Sequence, residues 1–483
     1  MADNGQGQAG GLPHVVIAGG GIAGLAAAFF LRDAPVRLTV LEADTRIGGQ
    51  LSVSPVAGID VDEGADMTWR PKTGALITAA GLGDRLALAA TNEVAMWTRG
   101  KLRPLPEAFF MGVPADMDQL AASGIISEAG VERARRDLQM PATPRPADVS
   151  VQDHVATRVG QEVVERLVNP FLYEMCGGQA DRLSYEATLS LLATTSDKHA
   201  SLAQAARSLV TIPHPKNTGI ASIAGGLGTL APALAATVLT ASPDAGIRTS
   251  TTLTGLTRGE QGWQLTTATP AGPETIDADA VILAVPAPAV ARLLGGVPGT
   301  ASAAAELAAI PYASVVDITL AYPRGSYPAD LAASGLSGYR VPVIDGGLVR
   351  SVTFSSVKYN LPGDCHIIRC SAGGISHGDV LQRDDADLVA QAATELAQAT
   401  GITGQPVATR VTRWPDALPQ YAPGQRDRAA RIRATLADQP GLAVCGAAYD
   451  GVGVGFCMAT ARKATEHIRA QLGSGIPRTE ARV

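Results

Sequence analysis

Residues 14–50 read HVVIAGGGIAGLAAAFFLRDAPVRLTVLEADTRIGGQ, and they restrict the fold more than any other stretch of the chain. His14 to Ala18 is a short β-branched run that ends in glycines, the pattern of a buried parallel strand. Gly19, Gly21 and Gly24 follow as G-x-G-x-x-G, and the apolar residues after them predict a helix through Leu31. The first two glycines allow a tight turn and let a pyrophosphate reach the helix N-terminus. Free N–H groups and the helix dipole favour negative charge there. The third glycine lets helix and strand pack closely. Val36 to Leu41 predicts a second strand, and Glu42 at its end stands where a carboxylate binds a ribose hydroxyl. The order of these parts predicts a Rossmann-like dinucleotide unit, against the plainer reading of a glycine-rich turn.

A second cluster, Arg46-Ile47-Gly48-Gly49, separates the dinucleotides. A nicotinamide site needs nothing more at this point. FAD continues past its pyrophosphate into a ribityl chain and isoalloxazine, so more backbone must come close without intervening side chains. The R-x-G-G element resembles that of the FAD-dependent amine oxidases and protoporphyrinogen oxidases. The cofactor expected from it is FAD, held non-covalently.

At 483 residues the chain is long for one core, so two or three domains are expected. A net charge of −6, with no Lys/Arg stripe, gives no electrostatic reason to bind nucleic acid. No uninterrupted apolar run reaches the roughly 18 to 20 residues that span a bilayer. The first twelve residues lack the basic start and apolar core of a signal peptide, and they read as a mobile tail, as do residues 473–483. Five cysteines, odd in number and without a C-x-x-C pair, fit reduced thiols in the cytoplasm better than a disulfide frame or zinc site. No metal-ligand spacing of histidines stands out.

Along the chain, residues 51–70 read as short strands, 74–90 as a helix and about 107–206 as almost entirely helical. Ser150 is a candidate N-cap within that stretch. Two strands are expected over 246–269, then a strand and helix in DADAVILAVPAPAVARLL. Residues 312–371 read mostly as strands and 384–400 as a helix. The end, GLAVCGAAYDGVGVGFCMATARKATEHIRAQL, is strand, glycine-rich loop and helix, as if the chain returned to finish its first domain. The fold class expected is α/β, α+β overall, with a discontinuous Rossmann-like FAD-binding domain over 13–90, 219–292 and 405–472. A helical cap domain is expected over 91–218 and a β-rich substrate domain over 293–404.

VDEGAD (61–66), FFMGVPADM (109–117), VVERLVNPFL (163–172), GGLGTL (225–230), VILAVP (281–286), RWPDALPQYAPG (413–424) and GAAYDGVGV (446–454) occur in one order. In that order they resemble the FAD-dependent protoporphyrinogen/coproporphyrinogen oxidases, particularly the soluble bacterial branch, from about residue 14 to 470. The resemblance implies hydride transfer from a reduced tetrapyrrole to FAD, with oxygen as acceptor and hydrogen peroxide as product. It adds Ile22, Ala23, Ala43, Gly64, Ala65, Asp66, Leu253, Ala284, Trp414, Gly446, Gly453 and Val454 to the expected cofactor set of Gly19, Gly21, Gly24, Glu42, Arg46, Gly48 and Gly49. Gly451, Gly453 and Gly455 precede the last helix, so its N-terminus is expected to face the flavin edge where negative charge grows on reduction.

The active-site segments depart from the family. Where the family reads close to LLSGVYAG, this chain has Tyr173-Glu174-Met175-Cys176-Gly177-Gly178. Where the family has Ile/Val-Pro-x-Cys, it has Val454-Gly455-Phe456-Cys457. Arg70 and Lys72 are candidates to pair with substrate carboxylates, against the alternative of a solvated basic loop. Phe354 and Tyr359 are candidates to stack on a ring system, though a strand aromatic is commonly core. Cys176 and Phe456 complete the candidate substrate set. No catalytic acid or base is identified, and the oligomeric state stays open. Two other readings remain: an FAD-dependent tailoring oxidase or desaturase acting on a CH–NH or CH–CH unit of a specialised metabolite, and a flavin-binding scaffold without turnover.

Overall fold

Apolar runs too short to be helices account for the first sheet. The computed structural model describes residues 11–142, 148–210, 219–259 and 262–473. In it His14–Ala18, Arg37–Leu41, Gly246–Arg248, Ala280–Leu283 and Leu442–Val444 form one parallel sheet. The spatial order is Gly246–Arg248, Arg37–Leu41, His14–Ala18, Ala280–Leu283, Leu442–Val444. His14–Ala18 lies at the centre and is buried along its whole length, as a strand covered on both faces must be. The helix Ile22–Leu31 covers one face. Its Ala26, Ala27 and Ala28 are fully buried, and these small residues admit the final helix, Val454–Leu472, against it. The expected return of the chain end to its beginning is therefore a physical contact. On the other face, Trp263 of the antiparallel sheet Thr252–Gly259, Gly262–Thr269 and Gly272–Ala278 anchors a second apolar cluster.

A seven-stranded sheet stands beside this unit. Its order is Ala408–Pro419, Tyr312–Pro323, Cys365–Gly373, Val349–Thr353, Gly338–Arg340, Val94–Thr98, Lys101–Pro104. The period of two decides its faces. Val316, Ile318, Val352, Ile368 and Cys370 point into an apolar core with Leu388, Ala392 and Leu396 of the helix Asp385–Thr400. Their neighbours in sequence point the other way, into the cavity described below.

The expected boundaries need correction at both ends of this sheet. Residues 94–104, expected in the helical cap, pair with Gly338–Arg340 as a hairpin of the sheet. Residues 408–419, expected in the dinucleotide unit, are its edge strand on Tyr312–Pro323. Both pair with partners more than eighty residues away, and local periodicity carries no such pairing information. Residues 74–90 are also less helical than expected, since the helix Arg70–Ile77 gives way to a turn at Gly81 and a strand, Leu86–Leu88.

From Met117 to Val210 the described residues are mostly helical. Ser150 caps Val151–Val159, its Oγ accepting from Asp153 N at 2.9 Å. A buried ion pair between Arg158 and Asp137 ties this block together. Asp137 also accepts from Ser201 Oγ at 2.8 Å and Ala203 N at 2.9 Å, which satisfies its oxygens away from water. Among the described residues no helix is long and apolar enough to cross a membrane. The terminal tails expected at 1–12 and 473–483 lie, apart from their innermost residues, outside the described residues.

Candidate active site

A cavity of about 710 Å³ runs between the parallel sheet, the seven-stranded sheet and the helical block. Both its ends can be built from the sequence upward.

At the dinucleotide end, Gly21 precedes Ile22–Leu31 with no side-chain cap, so the helix presents bare N–H groups to the cavity. A Cβ on Gly21 would meet nothing within 4 Å, so the space beside it is free for a ligand. The neighbouring glycines serve the turn instead. A Cβ on Gly24 would lie 1.8 Å from Gly19 O, and one on Gly19 would lie 2.6 Å from Ala284 O. Gly48 adopts φ +110° and donates to Gly20 O at 2.8 Å, which brings the second glycine cluster against the first. Arg46 holds that cluster by donating to Gly49 O at 2.9 Å. The final helix begins in the same cavity at Gly453 and Val454, again without a side-chain cap. Two helix N-termini thus face one space, a setting suited to the pyrophosphate and to a reduced flavin. These features fit FAD.

Of the expected cofactor residues, Gly21, Ile22, Ala23, Arg46, Gly48 and Gly49 line the cavity. So do Gly64, Ala65, Asp66, Ala284, Trp414, Gly446, Gly453 and Val454. Gly64 fits between Gln50 O and the Trp414 ring, where a Cβ would approach to 2.4 Å and 3.0 Å. Glu42 is not in the lining, yet it accepts from Gly20 N at 2.7 Å and Asp44 N at 2.8 Å, beside cavity-lining Asp44. Ala43 is exposed, and Leu253 packs against the Trp263 cluster; neither side chain reaches the cavity. Replacing Glu42 with Ala is expected to weaken FAD binding by about 1 to 3 kcal/mol, the scale of a lost charged hydrogen bond. Titration of the apoprotein with FAD, read by flavin fluorescence, checks this.

The expected substrate residues need correction. Arg70 and Lys72 are exposed, with the Lys72 ammonium 3.7 Å from the centre of the exposed Phe456 ring. None of these three lines the cavity. Phe354 is 1% exposed in the apolar core, edge-on to Tyr327 at 5.7 Å, because it follows Thr353 by one residue and so takes the opposite face. Cys176 lies in the core of the helical block, where burial pushes its thiol up to about 12. Tyr359 stands behind the wall and donates to Asp66 O at 3.1 Å. The Tyr173-Glu174-Met175 segment does line the cavity.

The far wall holds groups that sequence reasoning missed. Asp317, Ser351, Thr353, Lys358, Arg369 and Ser371 face inward. Arg369 bridges two carboxylates, at 3.4 Å from Asp66 Oδ2 and 3.4 Å from Asp317 Oδ2, and donates to Gly64 O at 2.7 Å. Lys358 Nζ lies 3.8 Å from Asp66 Oδ2. Burial pushes the Asp66 carboxyl up, but Lys358 and Arg369 outweigh it and hold the group below the usual carboxylate range. For Asp317 burial prevails over Arg369, and its carboxyl is held above that range. Glu174 pairs with Arg340, whose guanidinium lies 4.2 Å from the Phe171 ring centre. The signal for the missed groups is a single charge inside an apolar strand run, as in SVVDITLAY and CHIIRCSA. Cys457 also lines the cavity, with its thiol pushed up to about 12 by burial and hence protonated.

The family model for flavin-containing amine oxidoreductases matches residues 22–469. This chain belongs to that family. It is a flavoenzyme, an FAD-dependent oxidoreductase. It is 33% identical over 471 residues to the coproporphyrinogen III oxidase of Mycobacterium leprae, a match that covers 94% of this chain and 98% of the relative. The coproporphyrinogen III oxidase of Bacillus subtilis is 29% identical, with 93% and 96% covered. A solved structure from Exiguobacterium sp., assigned to the protoporphyrinogen oxidases, superposes with a TM-score of 0.82 at 28% identity, covering 95% of this chain and 99% of the other. The cyclohexylamine oxidase of Brevibacterium oxydans shares the fold, with a TM-score of 0.68 at 17% identity and coverage of 95% and 99%.

Proposed function

We propose that this flavoenzyme oxidises a reduced tetrapyrrole of the coproporphyrinogen III or protoporphyrinogen IX kind, in the cytoplasm, with oxygen as electron acceptor. The observation that carries this reading is the end-to-end match to relatives named coproporphyrinogen III oxidase. The bound FAD supplies the hydride-accepting ring. The chain's own residues bind and orient. The bare helix starts at Gly21 and Val454 hold the cofactor's charge, and Gly64 beside Trp414 lets backbone approach it. The helix Asn169–Cys176 borders the cavity, and its Tyr173-Glu174-Met175 segment faces the wall of Asp317, Lys358 and Arg369. Three rounds of hydride and proton removal convert a porphyrinogen to a porphyrin.

Anaerobic addition of coproporphyrinogen III to the yellow holoenzyme is expected to bleach the flavin band, and air to restore it with release of hydrogen peroxide. A flavin that stays oxidised, in folded protein with FAD bound, sinks the reading. Replacing both Arg70 and Lys72 with Ala is expected to change KM by less than about fivefold, since exposed charges contribute about 0 to 1 kcal/mol.

One observation favours a second reading. Glu174, although paired with Arg340, brings a carboxylate to the cavity wall, and the two cations of the far wall, Lys358 and Arg369, already face carboxylates of this chain. An amine-bearing metabolite suits that lining better than a tetra-acid does. Bleaching by such an amine, with none by coproporphyrinogen III, would select it.

A further inference from the structure

A flavoenzyme that takes hydride from a buried substrate must also dispose of a proton, or the product stays cationic. Once substrate fills the main cavity, that proton needs an acceptor and a route that the substrate does not block. We propose that Asp317, Ser371 and Tyr173 form a relay that carries the substrate's proton from the main cavity to a second, water-sized cavity that Tyr173 also lines. This inference rests on flavin-dependent dehydrogenation alone and not on the tetrapyrrole reading.

The geometry comes from two adjacent strands and one helix. Asp317 and Ser371 are directly paired across Tyr312–Pro323 and Cys365–Gly373, so their side chains stand side by side on the cavity face. That pairing sets the Ser371 hydroxyl beside the Asp317 carboxyl, where it works against the effect of burial and favours the charged form. Tyr173 Oη lies 3.4 Å from Ser371 Oγ. That is long for a hydroxyl pair, and such contacts commonly tighten when substrate binds. Tyr173 is 8% exposed, yet it borders both cavities. The second has a volume of about 10 Å³, room for a single water, and is edged by Asn169, Gln179, Arg350 and His377. Next to half-buried His377, Ser376 and Gly378 are exposed, so the second cavity adjoins the surface.

Other inward groups are less suited to the task. Asp66 is held by two cations, Glu174 is paired with Arg340, and Lys358 is itself paired. Among the described residues, Asp317 is within ion-pair reach only of the arginine that it shares with Asp66. The groups that face it are Arg369 and Ser371 from one neighbouring strand, Arg410 and Trp414 from the other, Asp66 from the loop, and Tyr173 from the helix. As the C–H electron pair leaves the substrate as hydride, the adjacent N–H or C–H bond breaks and its pair closes the new double bond. That proton goes to a carboxylate oxygen of Asp317. Asp317 passes it to Ser371 Oγ while the serine proton moves to Tyr173 Oη and the phenol proton to water. One proton leaves per hydride, and each group ends in its starting form.

The test follows the carboxyl infrared band of the FAD-loaded enzyme after a pH jump, without substrate. Two titrating buried carboxyl bands are expected in the wild type, one from Asp317 and one from Asp62, whose carboxyl burial pushes up to about 6; only the Asp317 band is expected to be absent from Asp317→Asn. Tyr173→Phe and Ser371→Ala are expected to keep the band but exchange with solvent about tenfold more slowly, equal to about 1.4 kcal/mol on the barrier. Ser371→Thr, which retains a hydroxyl, is expected to restore the rate. A carboxyl spectrum unchanged between wild type and Asp317→Asn overturns the proposal, and so does wild-type exchange in Tyr173→Phe and Ser371→Ala. If Asp317→Asn fails to hold FAD, the other two variants decide alone. Anaerobic flavin reduction by coproporphyrinogen III is expected to slow about 100-fold in Asp317→Asn, the usual scale of a lost general base. Failure of that substrate to bleach even the wild type would overturn the tetrapyrrole reading and leave the pH-jump result standing.

Discussion

A Gly21→Trp protein is expected to fold and purify colourless, whereas Gly24→Ala is expected to lose stability in the whole cofactor half. The two glycines belong to one motif, and the space around them separates their roles. Nothing lies within 4 Å of a Cβ on Gly21, so an indole there has room in the empty protein and occupies the place of the pyrophosphate. A single methyl on Gly24 would sit 1.8 Å from Gly19 O, backbone against backbone. Neither partner is a side chain that swings away, so helix Ile22–Leu31 must move off the central strand. The cost is about 3 kcal/mol or more, at the upper end of overpacking penalties. Released flavin measured by absorbance and thermal melting of the same preparations separate the two effects. A yellow Gly21→Trp protein, or a Gly24→Ala protein that melts like wild type, contradicts the assignment.

The contrast between these glycines shows why the cofactor end was legible in the sequence. Its demands are local: a turn, a bare helix start and a carboxylate arrive within one strand–helix–strand unit. The remaining cofactor residues lie far apart, and the family resemblance rather than any spacing placed Gly64, Ala284, Trp414 and Gly446 at the same cavity. The substrate wall has no local motif. It is one face of a sheet whose strands come from 312–323, 349–353 and 365–373. A shift of one residue decides which side chains reach it. Thr353 faces the cavity and Phe354 the core, so the aromatic of this pair is turned away from any substrate. Arg70 and Lys72 carry charge close to EGAD, but the helix Arg70–Ile77 leaves both exposed. The inward charges were in view as Asp317 and Arg369, each alone in an apolar strand. Their meaning depends on pairing across the sheet, which no single strand reveals.

The largest stability effect on that wall is expected from Arg369→Met. The arginine is 8% exposed and is the only cation within salt-bridge reach of Asp317 among the described residues. Methionine approximates its length but leaves Asp317 without a counter-charge and Asp66 with Lys358 alone. Breaking a buried pair from one side costs about 3 to 5 kcal/mol, because the remaining charge is neither solvated nor paired. The sign of the pH dependence follows from the carboxyls. In the wild type, Asp66 is held below its unfolded value, so its contribution is present above about pH 3.9 and fades as pH falls through the lower folded value. Asp317 is held above its unfolded value, so its contribution is largest in acid and fades as pH rises through the higher folded value. Removing Arg369 raises both carboxyls, which then favour the fold when protonated. The deficit of the variant should therefore be greatest near neutral pH and shrink as pH falls toward about 4. Denaturant unfolding of both proteins across that range measures it. Adding Asp317→Asn to the variant should recover part of the loss at neutral pH, because the uncompensated charge is gone while its shape remains. A deficit unchanged between neutral and acidic pH would show that Arg369 acts through packing, and the electrostatic account of this wall would fail.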